Sequence, residues 1–344
     1  MTKPILVIKF GTASITKPTG ELNETVIADI ARQVASLHPH YRIVLVSSGA
    51  VGAGKSFIHN YRGDITQRKA AAAIGNPLLL SVYSRYFSAY QIPVAQSLCE
   101  RHHFADRNQF LQLKQTYEEL WNNGIIPIAN ENDVVSSREL KFSDNDELAT
   151  LIAVGFKADL MMLCTSVGGL LDNDGQIIRQ VTELSQEVFG VVRTDKSSLG
   201  LGGMSSKLTF AKLATRMGIR VVIFGLNEPD GIVRALNGEM GTFFTAHTSS
   251  LSARNRWLGS GSLVTGRLQI DAGAVKALQR RSSLLAVGVR AIMGEFDTGE
   301  VVEILDTEQT VVGVARARLS SAQLAERLNQ QNVEVANAND IVLL

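Results

Sequence analysis

Short apolar runs alternate with helix-length amphipathic stretches along the amino-terminal part of the chain, and no other feature narrows the fold so far. Runs at 5–8, 43–46, 94–98, 125–128, 160–164 and 220–224 each suit a buried strand. Between the first two, Val26, Ile27, Ile30, Val34 and Leu37 recur at helical spacing from Asn23 until Pro39 stops the pattern. An alanine- and leucine-rich helical region follows at 66–90, punctuated at Gly75-Asn76-Pro77, and further helices are expected at about 108–121, after Asp144, from Lys207 and at 232–236. Parallel strands need connections long enough for a helix, so this alternation predicts an α/β fold with a mostly parallel sheet covered on both faces.

Beyond Thr245 the pattern changes. HTSSLSARN is polar and linker-like, and the short runs at 284–289, 300–305 and 310–315 that come later are β-type, with glycines marking turns. The expected division is therefore 1–246 for the α/β domain and 254–344 for a small β-rich one. A length of 344 residues with 45% apolar content supports both cores. A net charge of +1 argues against a broad nucleic-acid or membrane-surface footprint. Only Cys99 and Cys164 occur, which suits a reducing compartment and offers no metal-site spacing. The first apolar run is broken by Lys9, too short for a signal-peptide core, and no run approaches the ~18 apolar residues of a spanning helix. A cytoplasmic protein is expected.

Polar clusters sit where such sheets bind ligands, at strand carboxyl ends and helix amino ends. Lys9 leaves the first strand, and Ser47 and Ser48 leave the second. Asn130, Glu131, Asn132 and Asp133 follow the run ending at Ile128. Lys141, Ser143, Asp144, Asn145 and Asp146 precede a helical stripe, which Asp144 or Asn145 can cap. Gly200-Leu201-Gly202-Gly203-Met204-Ser205-Ser206-Lys207 opens another helix. Phosphoryl transfer needs cations at the moving group and backbone N–H groups on the phosphates, with little covalent work by the protein. Lys9 and Lys207 suit the first task, Gly202 and Gly203 the second, and Asp146 suits holding both lysines in register.

A competing motif lies at 49–56, where GAVGAGKS fits the pattern of a P-loop after a strand. The stretch behind it, FIHNYRG, is short and ends in glycine, and no later strand ends in an aspartate suited to hold a nucleotide's metal. Lys55 is therefore not assigned to a phosphate. The loop itself still presents free N–H groups to an anion.

Taken together, KFGT, SSGAVGAG, NEND, KFSDND and GLGGMSSK resemble, in this order and spacing, the amino acid kinase family. The resemblance covers nearly the whole chain, since WLGSGSLVTGRLQIDAGAVKAL, RRSSLLAVGVRAIMGEFDTGEVVEI and GVARA are similar to the PUA-type module many members carry. It implies a three-layer α/β/α sandwich and ATP-dependent phosphorylation of the γ-carboxylate of L-glutamate, the first committed step towards proline. It also implies roles for particular residues. Lys9 and Lys207 match the phosphate lysines, and Asp146 the aspartate that organises them. Ser48, with Gly49 and Ala50 beside it, and Asp133 and Asn145 match glutamate contacts. Thr165, Ser166 and the segment from Leu201 through Gly202, Gly203, Met204, Ser205 and Ser206 to Lys207 match nucleotide contacts.

The implied cofactor is ATP with Mg2+ held mainly through the nucleotide phosphates, with no protein ligand set for a metal. A homo-oligomer, proline as feedback inhibitor and contact with the next enzyme of the pathway are implied partners. The chain departs from the family at three places. Ser166 stands where aspartate is common, Asn76 where glutamine is usual after Gly75, and GGLLDNDG lacks a tyrosine and an Asp-Pro near the adenine. Two alternatives are carried forward: a kinase for another small carboxylate, and an RNA-binding regulator using Arg280, Arg281, Arg290, Arg316 and Arg318.

Overall fold

The computed structural model describes residues 2–100, 103–104, 107–135, 145–182, 203–246, 264–296, 298–299 and 301–343. At its centre is β1 (Ile5–Phe10), paired in parallel with β2 (Arg42–Ser47) on one side and β5 (Leu160–Cys164) on the other. Beyond β2 lie β4 (Ile126–Glu131) and then β3 (Val94–Cys99). Beyond β5 lie β7 (Arg220–Phe224), β8 (Thr242–Phe244) and β6 (Gln180–Val181). β8 runs antiparallel to β7, and the sheet is otherwise parallel, as the sequence predicts. The chain fills one side of β1 before it crosses to the other, so loops diverge at the carboxyl ends of the strands around β1.

Alternation along β1 decides which groups reach which layer. Leu6, Ile8 and Phe10 join a core with Ile27, Ile30 and Val34 of α2 (Glu24–Leu37) and Leu79, Tyr83 and Phe87 of α4 (Ile65–Ser88). Val7 and Lys9, of the opposite parity, face the other layer, where α6 (Asn145–Phe156) packs on β1. In that layer Phe156 meets Tyr117 and Trp121 of α5 (Arg107–Asn122) edge-on, with ring centroids 4.9 and 6.0 Å away. Burying one such ring contributes about 2–3 kcal/mol.

Two helices start on side-chain caps, while the cap expected at Asp144 lies outside the described residues. Asn23 accepts from the N–H of Val26 and Asp64 from that of Gln67, starting α2 and α4. Gly75-Asn76-Pro77, by contrast, does not interrupt α4, which runs through it. The reason lies in a neighbour, the short α3 (Ala50–Gly54). A Cβ on Gly75 would fall 1.7 Å from the carbonyl oxygen of Ala50, and one on Gly54 would fall 1.9 Å from that of Ala71. The two glycines therefore let α3 lie backbone to backbone on α4, a tertiary contact that outweighs the local breaker signal.

The chain divides into two compact units, the first built from 1–100 and 108–249 and the second from 101–107 and 250–344. The second is β-rich, as predicted. Its five-stranded sheet runs β11 (Val289–Met293), β9 (Val264–Ile270), β12 (Val301–Leu305), β13 (Val311–Arg316) and β15 (Ile341–Leu343). Leu268, Ile270, Val302, Ile304 and Ala315 form its core with Leu278 from the helix Ala272–Gln279. The expected run at 284–289 is divided by a single 3-10 turn, Ala286–Gly288. The linker expected after Thr245 lies mostly outside the described residues.

Candidate active site

Three elements bring the charged groups together. Lys9 comes from the carboxyl half of β1, Asp146 from the first turn of α6, and Lys207 from the first turn of α7 (Met204–Arg216). The Lys9 ammonium lies 2.6 Å from Asp146 Oδ1, and Lys207 donates to Asp146 Oδ2 at 2.8 Å. Exposure is 3% for Lys9, 0% for Asp146 and 6% for Lys207, so water screens none of these charges well. Burying this many charges is costly, and two ammonium groups on one carboxylate leave the triad with a surplus positive charge. An anion arriving between the lysines would offset that charge. Cys164, at the end of β5 beside these groups, is buried, and burial pushes its thiol up to about 11, so it stays neutral there.

A second, uncharged cluster lies around the turn that follows β2. Gly49 adopts φ +106° there, a conformation that L side chains rarely take, and it swings the chain from Ser48 into Ala50 and α3. Ser48 accepts from Asn145 Nδ2 at 2.8 Å, and the same amide nitrogen donates to Asn130 Oδ1 at 2.9 Å. Asn130 in turn donates to Asn76 Oδ1 at 2.9 Å. Ser47 was expected to offer a donor beside Ser48. It is instead fully buried, with its hydroxyl 3.0 Å from that of Tyr83, because alternation at the end of β2 turns it into the opposite layer.

Asp133 follows β4 by two residues. Burial raises its carboxyl to about 6, against the pull of the nearby Arg68 guanidinium, and a cationic partner arriving there would draw it back towards the usual carboxylate range. On the far side of β1, the N–H of Thr165 donates to Phe224, and the carbonyl of Ser166 accepts from Asn227 Nδ2 at 2.7 Å. Gly203 N-caps α7, so Met204, Ser206 and Lys207 lie in its first turn. Leu201, Gly202, the 136–144 segment and the Ser205 side chain lie outside what is described. Lys55 sits on the Lys17–Gly20 turn, where a Cβ on Gly20 would meet its ammonium at 2.2 Å. The P-loop-like stretch itself folds as the short helix Ala50–Gly54 and is followed only by the 3-10 turn Lys55–Phe57, not by the firm helix a P-loop opens.

The links that sequence reading passed over are Asn76, noted only as a departure, and Asn130, read only as part of a polar run. An asparagine set between the alanine run at 70–73 and the leucine run at 78–80 was the available signal.

Residues 4–225 match the model of the amino acid kinase family, and residues 266–338 match that of the PUA domain. The chain belongs to the amino acid kinase family and carries a carboxyl-terminal PUA domain. Among its curated relatives are glutamate 5-kinases from Gloeobacter violaceus, 39% identical over 96% of this chain and 93% of the relative, and from Streptococcus suis, 35% identical over the full length of both. The glutamate 5-kinase of Klebsiella pneumoniae is 36% identical, over 96% of this chain and 93% of its own. Carbamate kinase from Giardia lamblia bound to AMP-PNP shares the fold, with a TM-score of 0.51 and 16% identity over 71% of this chain and 99% of that one.

Proposed function

We infer that this chain transfers the γ-phosphoryl group of ATP to the γ-carboxylate of L-glutamate, giving L-glutamyl 5-phosphate on the way to proline. The observation that carries this reading is the buried triad of Lys9, Asp146 and Lys207, together with 35% identity over the full length of a glutamate 5-kinase. In the reaction the attacking carboxylate and the phosphoryl group are both anionic, so catalysis is mainly positioning and charge neutralisation. Lys9 and Lys207 neutralise the equatorial oxygens as the phosphoryl group moves, and Asp146 keeps both ammoniums charged and aimed. Gly203 and the amino end of α7 offer N–H groups to the nucleotide phosphates, and the sequence adds Leu201 and Gly202 as nucleotide-binding positions. Thr165 and Ser166 border the nucleotide.

Glutamate lies against Ser48, Gly49, Ala50, Asp133 and Asn145. The Asp133 carboxylate and Asn145 Oδ1 accept from its α-ammonium group, and the N–H groups of the Gly49 turn face a carboxylate. Mg2+ fits this site as a partner of the phosphates. Among the described residues no three His, Cys, Asp or Glu groups converge as ligands, and the carboxylate of Asp146 already faces two ammonium groups. Bound there, Mg2+ would neutralise phosphate charge.

The proposed domains are 1–246 for catalysis and 254–344 for the PUA unit. The wider reading is a cytoplasmic homo-oligomer with proline as feedback inhibitor and contact with the next enzyme. No described helix is long and apolar enough to cross a membrane. An RNA-binding role is less favoured, because Arg290 and Arg318 each face a carboxylate, Asp271 at 2.8 Å and Glu334 at 2.7 Å.

ATP-dependent formation of an acyl phosphate from L-glutamate, trapped with hydroxylamine, tests the reaction. D-glutamate, aspartate and N-acetylglutamate serve as comparisons, and preference for one of them would move the substrate elsewhere. A pH profile tests the pocket. Asp133 ionises as pH rises through about 6 and loses its charge below that. The kcat/KM for glutamate should therefore fall about tenfold from pH 7 to pH 5. An Asp133→Asn enzyme should be weaker at pH 7 and lack this limb of the profile. If both enzymes lose activity in parallel, Asp133 does not bind the ammonium group.

A further inference from the structure

We propose that Asn76 is a positioning residue for substrate selection, acting through Asn130 on Asn145. The proposal rests on the glutamate reading above and adds a residue to it. The three side chains form a head-to-tail series of amides. Asn76 Oδ1 accepts from Asn130 Nδ2 at 2.9 Å, and Asn130 Oδ1 accepts from Asn145 Nδ2 at 2.9 Å. Asn76 and Asn130 are each 4% exposed, so neither end can substitute water for a lost partner at low cost.

A backbone N–H on one side of Asn130 and the Asn76 oxygen on the other together hold the direction of the series. The N–H of Glu131 donates to Asn130 Oδ1 at 2.9 Å, and an N–H can only donate. The Asn130 atom facing it is therefore oxygen, and its nitrogen must turn to Asn76, where an acceptor is needed. That oxygen also requires a donor from Asn145, which spends its second hydrogen on Ser48 at 2.8 Å. Both hydrogens of Asn145 are then committed. Its Oδ1 is buried and has no hydrogen-bond partner, and at the other end Asn76 Nδ2 is likewise buried without an acceptor.

The consequence is chemical. Asn145 presents an acceptor and no donor, which suits an ammonium group and disfavours a second carboxylate. Each amide polarises the next, so the uncommitted Asn145 Oδ1 is a stronger acceptor than an isolated amide. Asn76 touches no substrate atom in this scheme. It satisfies the Asn130 NH2 group and so helps keep Asn145 from exchanging its free oxygen for its NH2 end.

The test compares L-glutamate with glutarate, a five-carbon dicarboxylate without the ammonium group, as substrate and as competitive inhibitor. Asn76→Leu keeps the volume and removes the acceptor. It should lower kcat/KM for glutamate about tenfold, leave the KM for ATP unchanged, and shrink the preference for glutamate over glutarate about tenfold. Asn76→Gln, which restores an amide, should recover most of that preference. Asn76→Ser, too short to reach Asn130, should repeat the Leu result and stands in for it if that variant does not fold. Unchanged preference in the Leu or Ser enzyme would overturn the proposal. So would equal weakening of glutamate and ATP, or a Gln enzyme no better than Leu. Failure of the wild-type enzyme to phosphorylate glutamate would sink the broader reading instead, and the two failures are distinct.

Discussion

Replacing Lys207 by alanine is expected to lower turnover of glutamate by about a hundred- to a thousandfold, with much smaller changes in either Michaelis constant. The side chain lies in the first turn of α7, is 6% exposed, and meets Asp146 at 2.8 Å. Its ammonium is thus held before substrate arrives and has no solvent shell to shed when charge develops on the phosphoryl oxygens. Losing such a preorganised contact typically costs about 3–4 kcal/mol of transition-state stabilisation. Lys55→Ala supplies the contrast. Its ammonium packs on the Gly20 turn, and the variant should keep activity within about twofold. The opposite pattern, with Lys55 essential and Lys207 dispensable, would return the phosphates to the P-loop-like stretch at 49–56.

What made the fold legible was periodicity. The runs ending near Ile8, Val46, Ile128 and Cys164 are buried on both faces, and a two-sided strand needs no tertiary information to be recognised. Where reading failed, the cause was a contact between segments distant in sequence. Pro77 and Gly75 look like a break because the backbone of α3, which needs that glycine, is twenty residues or so away in the chain. Ser47 and Ser48 look equivalent as letters, yet strand parity sends one to Tyr83 and the other to Asn145.

The candidate site was legible for a different reason. Lys9 interrupts an apolar strand run, and Asp146 and Lys207 follow polar or glycine-rich loops at helix starts, where α/β sheets bind ligands, so the three stood out one by one. Their convergence on a single carboxylate is visible only in three dimensions. The neutral amides were harder. Asn76 carries no charge and breaks no helical spacing, and its value comes only from Asn130, fifty-four positions along the chain.

Asp146 should prove harder to replace than either lysine. Asp146→Ala leaves two buried ammonium groups facing each other with their shared counter-charge gone. Breaking a buried pair by removing one partner usually costs about 3–5 kcal/mol, and here two pairs break at once. The variant should melt well below wild type, and turnover should fall at least as far as in Lys207→Ala, because both cations lose their aim. Asp146→Asn separates charge from shape. It keeps one acceptor oxygen and turns an NH2 group towards the other lysine, so it should recover part of the stability and little of the turnover. Nucleotide gives the sharper reading. If ATP phosphates lie between Lys9 and Lys207, their negative charge replaces the missing carboxylate, and ATP should raise the melting temperature of Asp146→Ala more than that of wild type. Equal shifts in the two proteins would mean that the nucleotide phosphates bind elsewhere. A near-normal rate in Asp146→Asn would mean that the ion triad holds the fold together without acting on the phosphoryl group.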